Sequence, residues 1–423
     1  MTAPDDAASA ADGVALAHKA AERAARESYG RLLAFLAVRT RDVAGAEDAL
    51  AAAFASALRT WPARGVPRNP EAWLLTAARR RQIDAARRRQ TEALGEEHLQ
   101  RMADEIERAW QAPEAIRDRR LALMFACAHP AIDAAVRTPL ILQAILGLTA
   151  DAIAAAFLVP PATMGQRLVR AKTRIRQAGI PLRVPDRDEW PARLDAVLEA
   201  IYAAYSNAWA STGEGGGSPL AEEAIWLGRL VVSLLPHEPE AKGMLALMLY
   251  AEARRDARRD ASGIYVPLSA QDVSLWNEPQ IREAEALLHE ANAAGPSGRY
   301  QIEAAIQSAH VARRLSGRDT RRAILALYDH LFARIRSPVV ALNRLAARAA
   351  VDGAASALGG MTELASDKRM LAYQPYWAVR AQLLGDAGQH DEAYEAFTVA
   401  IGLSTDDAVR RYLEARRANV VRR

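Results

Sequence analysis

The sequence predicts an all-α protein of more than one domain. Three observations carry that prediction. Alanine dominates the chain while aromatic residues make up only 6% of it, and alanine has the highest intrinsic helix propensity. Apolar residues recur at helical spacing, and no stretch sustains the period-2 alternation of a half-buried strand. The length of 423 residues exceeds the roughly 250–300 at which a single core stops growing. A hydrophobic content of 51% is that of a folded chain.

Taken in order, the Ala-, Asp- and Ser-rich N-terminus, residues 1–24, is expected to fray. Helical spacing sets in from Ser28, with Tyr29, Leu32, Leu33 and Leu36 on one stripe. A second stripe runs through Ala46, Leu50, Ala53, Phe54, Ala57, Leu58 and Trp61 and should stop at Trp61-Pro62. After the loop ARGVPRNP, Pro70 suits the first position of a helix. That helix carries Trp73, Leu74, Ala77 and Ala78 and runs into RRRQIDAARRR, residues 79–89. Six arginines there face one acid, Asp84. Such a run reads as a solvated face or as a phosphate-binding one. The near absence of compensating acids and the aromatic Trp73 favour phosphate contacts beside a stacking platform.

An acidic segment, Glu96 to Glu107, follows and reads as a linker closed by Pro113. Periodicity returns from Ile116 through Leu121, Met124 and Phe125, and an apolar helix covers Thr138 to Leu148. The stretch LTADAIAAAFLVPPATMGQRLVRAKTRIR, residues 148–176, reads as two short helices and a turn. Thr149 is suited to cap the first helix, and Asp151 suits its positive end. Ile153, Phe157 and Leu158 give that helix its apolar face. Pro160 and Pro161 stop it and start the next. In the second helix Met164, Leu168, Ala171 and Ile175 form a buried stripe, and Thr163, Gln166, Arg167, Arg170 and Arg174 lie opposite. A helix that shows hydroxyl, amide and guanidinium groups outward is what major-groove reading requires. Lys172 joins these as a candidate DNA contact.

After Pro185 the chain becomes helices of about 12–16 residues between short turns. Trp377, Ala381, Leu384, Gly388, Ala393, Phe397 and Ala400 fit a tetratricopeptide-like spacing. A looser copy runs from Pro338 to Leu364, and a third candidate pairs 221–235 with 241–253. The Gly-rich stretch 211–219 lacks the lysine and the context of a phosphate cradle.

Composition narrows the chemistry. The net charge of +4 and pI near 9.3 are mild, so a nucleic-acid surface must come from local clustering. A single cysteine, Cys127, excludes an internal disulfide and a cysteine-built zinc site. It reads as a buried structural thiol. The eight histidines are scattered, and no nucleophile motif, Walker loop or dinucleotide fingerprint is present. The sequence therefore predicts no enzyme, no cofactor and no metal. The longest uncharged apolar run, Thr138 to Ala150, falls short of the roughly 20 residues of a membrane span. With no signal-peptide pattern, a soluble cytoplasmic protein without membrane partners is expected.

Four strings together resemble bacterial sigma factors of the extracytoplasmic-function (ECF) type, in the sigma-70 family. They are DVAGAEDALAAAFASAL (42–58), WPARGVPRNPEAWLLTAARRRQIDAARRR (61–89), FACAHPAID (125–133) and the helix-turn-helix string at 148–181. AEEAIWLGRLVVSLLPHEPEAKGMLALML, LSAQDVSLW and YQIEAAIQSAH resemble the subgroup with a long helical C-terminal extension. The resemblance implies an all-α fold of two small sigma domains followed by a tetratricopeptide-like (TPR-like) domain. Region 2 would occupy 25–92, an acidic linker 93–113, the region 4 helix-turn-helix 114–182 and the extension 183–423.

It also implies roles. Asp42, Glu47, Asp48 and Phe54 would face the β′ clamp helices of core RNA polymerase, and the β flap would be a further contact. Trp73, Arg79, Arg80, Arg81, Asp84, Arg87 and Arg88 would open and read the −10 element of promoter DNA. Thr163, Gln166, Arg167, Arg170, Lys172 and Arg174 would read the −35 element. The extension would regulate in cis, with a regulatory protein docking on its repeats. Ala51 and Ala52 stand where the family pattern has Gln and Asp, and Tyr205 to Trp209 replaces an FNEGY-like motif.

Two other readings fit the helix-turn-helix by itself. One is a one-component regulator whose repeats sense a ligand, and the other is a repeat scaffold with solvated basic faces. Neither needs the pairing of a clamp-like helix with an arginine-rich one between Asp42 and Arg89.

Overall fold

The structure is a computed structural model that describes residues 5–90, 119–157, 159–185, 191–210, 219–293 and 297–421. Regular structure among them is helical, apart from one isolated antiparallel bridge between Arg259 and Tyr265. The fold class is the expected all-α one. The acidic linker 93–113 and most of the Gly-rich stretch lie outside the described residues. The chain divides into two compact units, 1–227 and 228–423.

The first unit opens with α1 (Asp5–Thr40), α2 (Val43–Arg64) and α3 (Pro70–Gln90), packed on one another. The fraying expected over 1–24 is corrected here. Helix runs from Asp5, and Ala17, Ala20, Ala21 and Ala24 are buried. Small side chains cost little entropy to bury, so an alanine-rich terminus can dock where bulkier polar residues would fray. Asp42 caps α2 by accepting from Gly45 N at 3.0 Å. The helix continues through Pro62 to Arg64, past the expected stop, and Gly65 at φ +80° closes it with a 2.9 Å bond from its N–H to Trp61 O. Proline's fixed φ suits a helix, and in a last turn it forfeits only one bond.

Helices α4 (Arg120–Cys127), α5 (Ala134–Leu146), α6 (Ala150–Phe157), α7 (Pro161–Gln177) and α8 (Pro191–Ala210) complete this unit with the start of α9 (Pro219–Leu234). Every residue of α4 is buried. It packs with α5 against α1, while α8 covers α5 from another side and α7 touches both α5 and α2. At Gly30 of α1 the backbones meet so closely that a Cβ would lie 1.9 Å from Ile145 O of α5. Only glycine permits that approach. Arg120 forms an ion pair with Glu223, and its guanidinium stacks 4.4 Å from the centre of the Trp226 ring.

The second unit contains α10 (Pro239–Glu252), α11 (Glu278–Ala293), α12 (Arg299–Ser316), α13 (Arg321–Arg334), α14 (Pro338–Asp352), α15 (Ala355–Leu364), α16 (Lys368–Leu371), α17 (Gln374–Asp386), α18 (His390–Leu403) and α19 (Asp407–Val421). The pair α17–α18 buries Ala381, Leu384, Ala393, Phe397 and Ala400 in one cluster with Leu413. Leu342, Ala357, Met361, Met370 and Tyr376 form a second cluster beside it.

The third expected pair, 221–235 with 241–253, is not a self-contained hairpin. The principal neighbours of α10 are α11 and α12. Two side-chain features explain the choice. A Cβ on Gly243 would lie 2.6 Å from Gln301 N, so α10 and α12 touch backbone to backbone. Glu240 also accepts from Tyr300 N and Gln301 N at 3.0 and 3.1 Å, capping α12 from outside.

Between α10 and α11 the chain is irregular. Arg259 pairs with Asp406 at 3.3 Å, Tyr265 N donates to Ala408 O at 3.3 Å, and the Tyr265 and Tyr412 rings meet edge to face at 5.5 Å. Arg411 donates to Ser262 O and Gly263 O, each at 3.1 Å. Residues 259–265 are thereby strapped to the C-terminal helix.

Candidate nucleic-acid interface

Two basic helices present themselves to solvent in the first unit. In α6 the Thr149 hydroxyl accepts from Ala152 N at 3.2 Å, the cap that the sequence implies. Ile153 is buried, whereas the side chains of Phe157 and Leu158 lie outside the described residues. Pro161 opens α7, and Met164, Leu168, Ala171 and Ile175 are its buried residues. Gln166, Arg167, Arg170 and Arg174 are exposed and Thr163 is half-buried. This surface can offer bidentate guanidinium and amide donors to base edges.

Lys172 is the exception. It points at α2 and forms an ion pair with Glu47, the two side chains being 10% and 16% exposed. Its grouping with the groove-facing residues is corrected: two residues along a helix is a turn of about 200°, so Lys172 stands on the far side from Arg170 and Arg174.

On the other basic helix, Asn69 caps α3 by accepting from Ala72 N at 3.0 Å. Glu71 ties α3 to α1 by accepting from Ser28 and from Arg31, the latter at 2.5 Å. Trp73 is half-buried, its ring against Trp61. Arg80, Arg81 and Asp84 are exposed and Arg79 is half-buried. The side chains of Arg87 and Arg88 lie outside the described residues. Between α2 and α3 opens a cavity of about 570 Å³, with Ala52, Ala53, Ser56, Trp73 and Thr76 on its walls and Arg80, Arg81 and Asp84 also lining it. Small residues on both helices, Ala52 among them, leave this space.

On α2, Asp48 is exposed and Phe54 half-buried. Asp42 combines its capping role with an ion pair to Arg176 of α7 at 3.7 Å. Burial pushes the Glu47 carboxyl up from the ordinary range, Lys172 pulls it back, and the Asp48 charge adds to the rise. The Cys127 thiol is pushed far up by burial and then by the Glu47 charge. The Tyr29 hydroxyl is raised for the same two reasons. A thiol held neutral in this way is no nucleophile. Among the described residues no group of His, Cys, Asp and Glu is placed to hold a metal ion, and no helix is long and apolar enough to cross a membrane.

The link between α2 and α7 was hidden in the sequence. Glu47 and Lys172 stand 125 positions apart. The available signal was angular, since Lys172 and Arg176 both fall on the flank of α7 away from Arg167, Arg170 and Arg174.

Comparison with known proteins adds two regions and a relative. Residues 25–92 match the family described as Sigma-70 region 2. Residues 193–292 match a Family of unknown function (DUF6596). A protein of Rhizobium meliloti (strain 1021), named only as an uncharacterized protein, is 38% identical over 395 residues, covering 92% of each chain. No solved structure matches.

Proposed function

The chain belongs to one family with the Rhizobium meliloti protein and carries a sigma-70 region 2, and on that premise we propose that it is a sigma factor of the extracytoplasmic-function type. It binds core RNA polymerase and directs initiation at specific promoters. The observation that carries this reading is the agreement between the region 2 match over 25–92 and the geometry of α2 and α3. That geometry sets exposed arginines and an aromatic beside a cavity, next to a helix with the exposed carboxylate of Asp48.

In this reading Asp42, Glu47, Asp48 and Phe54 meet the β′ clamp helices. Trp73, Arg79 to Arg81, Asp84, Arg87 and Arg88 engage the −10 element, with the tryptophan supporting stacking and the guanidiniums holding phosphates. Thr163, Gln166, Arg167, Arg170 and Arg174 read the −35 element from α7, and the β flap is a further contact. Short helix pairs in the second unit, of tetratricopeptide-like spacing, regulate in cis. The groove of about 540 Å³ lined by Ala346, Ala350, Val379, Gln382 and Arg416 supports docking of a regulatory protein there.

Run-off transcription with purified core polymerase tests the reading. A promoter-specific transcript that depends on this chain is expected. Absence of that transcript, together with failure to co-purify with core, would refute it.

A further inference from the structure

One stretch of the second unit concentrates positive charge as RRRQIDAARRR does in the first. Residues 313–322 read RRLSGRDTRR, five arginines against one acid. The rest of residues 228–423 carries 21 Lys and Arg against 22 Asp and Glu. The net positive charge of that unit therefore lies in this one short segment.

The segment is a well-tied turn between α12 and α13. Gly317, at φ +69°, closes α12 with a 3.1 Å bond from its N–H to Arg313 O. The Ser316 hydroxyl donates to Ala312 O at 2.6 Å, and the Thr320 hydroxyl donates to Ala309 O at 2.8 Å. Two of the five arginines belong to this scaffold. Arg314 donates to Gln271 O at 2.7 Å. Arg321 grips Asp319 through Nε at 2.9 Å and Nη2 at 2.7 Å. Those bonds hold the Asp319 carboxyl well below its ordinary range, and the nearby Arg313 charge adds to the effect. The one acid is thus already matched.

Arg313, Arg318 and Arg322 remain. All three are exposed, and among the described residues their guanidiniums make no hydrogen bond or ion pair. Arg322 stands in the first turn of α13, the positive end of a helix with no acid there. Like charges meet at that end, an arrangement that costs stability unless an anion joins it.

The surroundings select among anions. An acidic protein partner needs an apolar centre to its footprint, and within 313–322 Leu315 alone is a large exposed apolar side chain. Single strands are held on aromatic platforms, and residues 311–327 contain no aromatic. Duplex DNA offers rows of phosphates and takes polar, strongly positive surfaces. Guanidinium forks match phosphate oxygens.

We propose that the α12–α13 turn is a phosphate-binding surface for duplex DNA, on which Arg313, Arg318 and Arg322 hold the backbone without reading sequence. The inference rests on the sigma-factor reading only for bringing a promoter duplex to the chain. With α7 on the same duplex, the turn binds from a high effective concentration. The second unit adds affinity to the promoter complex and leaves base preference to α3 and α7.

The test compares the full wild-type chain with Arg313→Gln/Arg318→Gln/Arg322→Gln, which spares Arg314 and Arg321. Arg282→Gln/Arg336→Gln/Arg369→Gln removes the same charge from exposed positions elsewhere in the unit and serves as control. Binding is measured from about 50 to 200 mM salt on a promoter duplex with core polymerase, on a random duplex without core, and to core alone. Three phosphate contacts contribute about 2.7 to the slope of log K against log salt. The first variant should lose that much slope on each duplex. Its deficit against wild type then widens about fortyfold from the highest salt to the lowest. Circular dichroism, core affinity and base preference should stay unchanged.

An unchanged slope on both duplexes would overturn the proposal, and promoter-specific transcription by the same protein would leave the sigma-factor reading standing. A loss confined to core binding would overturn it in favour of a protein partner. An equal loss in the control would overturn it as an effect of bulk charge. Loss of slope on the random duplex, by a chain that gives no transcript with core, would keep the surface and sink the sigma-factor reading.

Discussion

Trp61 and Trp73 meet edge to face, with ring centroids 5.4 Å apart at an interplanar angle of 68°. One ring is 2% exposed at the end of α2, and the other sits half-buried at the cavity between α2 and α3. The pair should divide labour between stability and contact. Trp61→Ala should cost about 3–5 kcal/mol by opening a core void. Trp73→Ala should cost distinctly less in denaturant melts, yet lower promoter opening, followed by the fluorescence of 2-aminopurine in the −10 element, by about 1–3 kcal/mol per lost stack. Equal stability losses with unchanged opening would remove Trp73 from the interface.

The two arginine surfaces should fail differently. Arg167→Ala or Arg170→Ala should cost about 1–3 kcal/mol and relax preference at single upstream positions, because bidentate base contacts carry sequence information. Arg80→Ala should weaken binding uniformly across sequences and lower the slope of log K against log salt by about 1. Binding measured over a series of substituted promoters and salt concentrations separates the two patterns.

Much of the candidate site was legible in the sequence. The stripe Met164, Leu168, Ala171, Ile175 fixed which face of α7 is buried, and the caps at Thr149 and Asn69 stand as their residue types imply. Pattern reading works there because the forces are local. It did not reach the seating of α1 on α5, which depends on glycine at position 30, or that of α7 on α2, which joins charges far apart in the chain. It also misplaced the start of α1, since alanine carries no polarity signal to show whether a helix is docked or bare. The pairing of α10 with α11 and α12 was hidden for a similar reason: Glu240 and Gly243 look like ordinary surface residues until their partners are known.

A cut after Pro185 separates the extension by sequence but not by structure. Helix α8 follows the cut, and Leu194, Val197, Leu198, Ile201 and Tyr205 are buried with the first unit. At about 1.5–3 kcal/mol for each large side chain buried, a chain ending at 185 should melt well below one ending at 227. Scanning calorimetry on the two truncations decides this. Equal melting temperatures would assign α8 to the extension. Transcription by the more stable truncation then reports on regulation without the confusion of partial unfolding.

His310 should make the second unit acid-sensitive. Burial first, then the charges of Arg254 and Arg313, depress its pKa from 6.5 to about 4. The folded chain therefore keeps this imidazole neutral while the unfolded chain takes up a proton near pH 6.5. Its contribution is complete above that value and is lost as pH falls toward 4, by on the order of 3 kcal/mol. Chemical denaturation at pH 7.5, 6, 5 and 4 should show the decline, and His310→Gln should flatten it. A slope unaltered by the substitution would place the acid sensitivity elsewhere.

The strap between residues 259–265 and α19 has a consequence for biogenesis. Arg259 and Asp406 are separated by 147 positions, so the partner helix leaves the ribosome well after the strap does. Non-local contacts of this kind are slow to form because loop closure precedes any gain. Translation thus delivers the first unit in full before the second can be tied off. A nascent chain is able to mature its first unit early, and the second acquires its knot of arginines and carbonyls only once residues 406–411 have emerged.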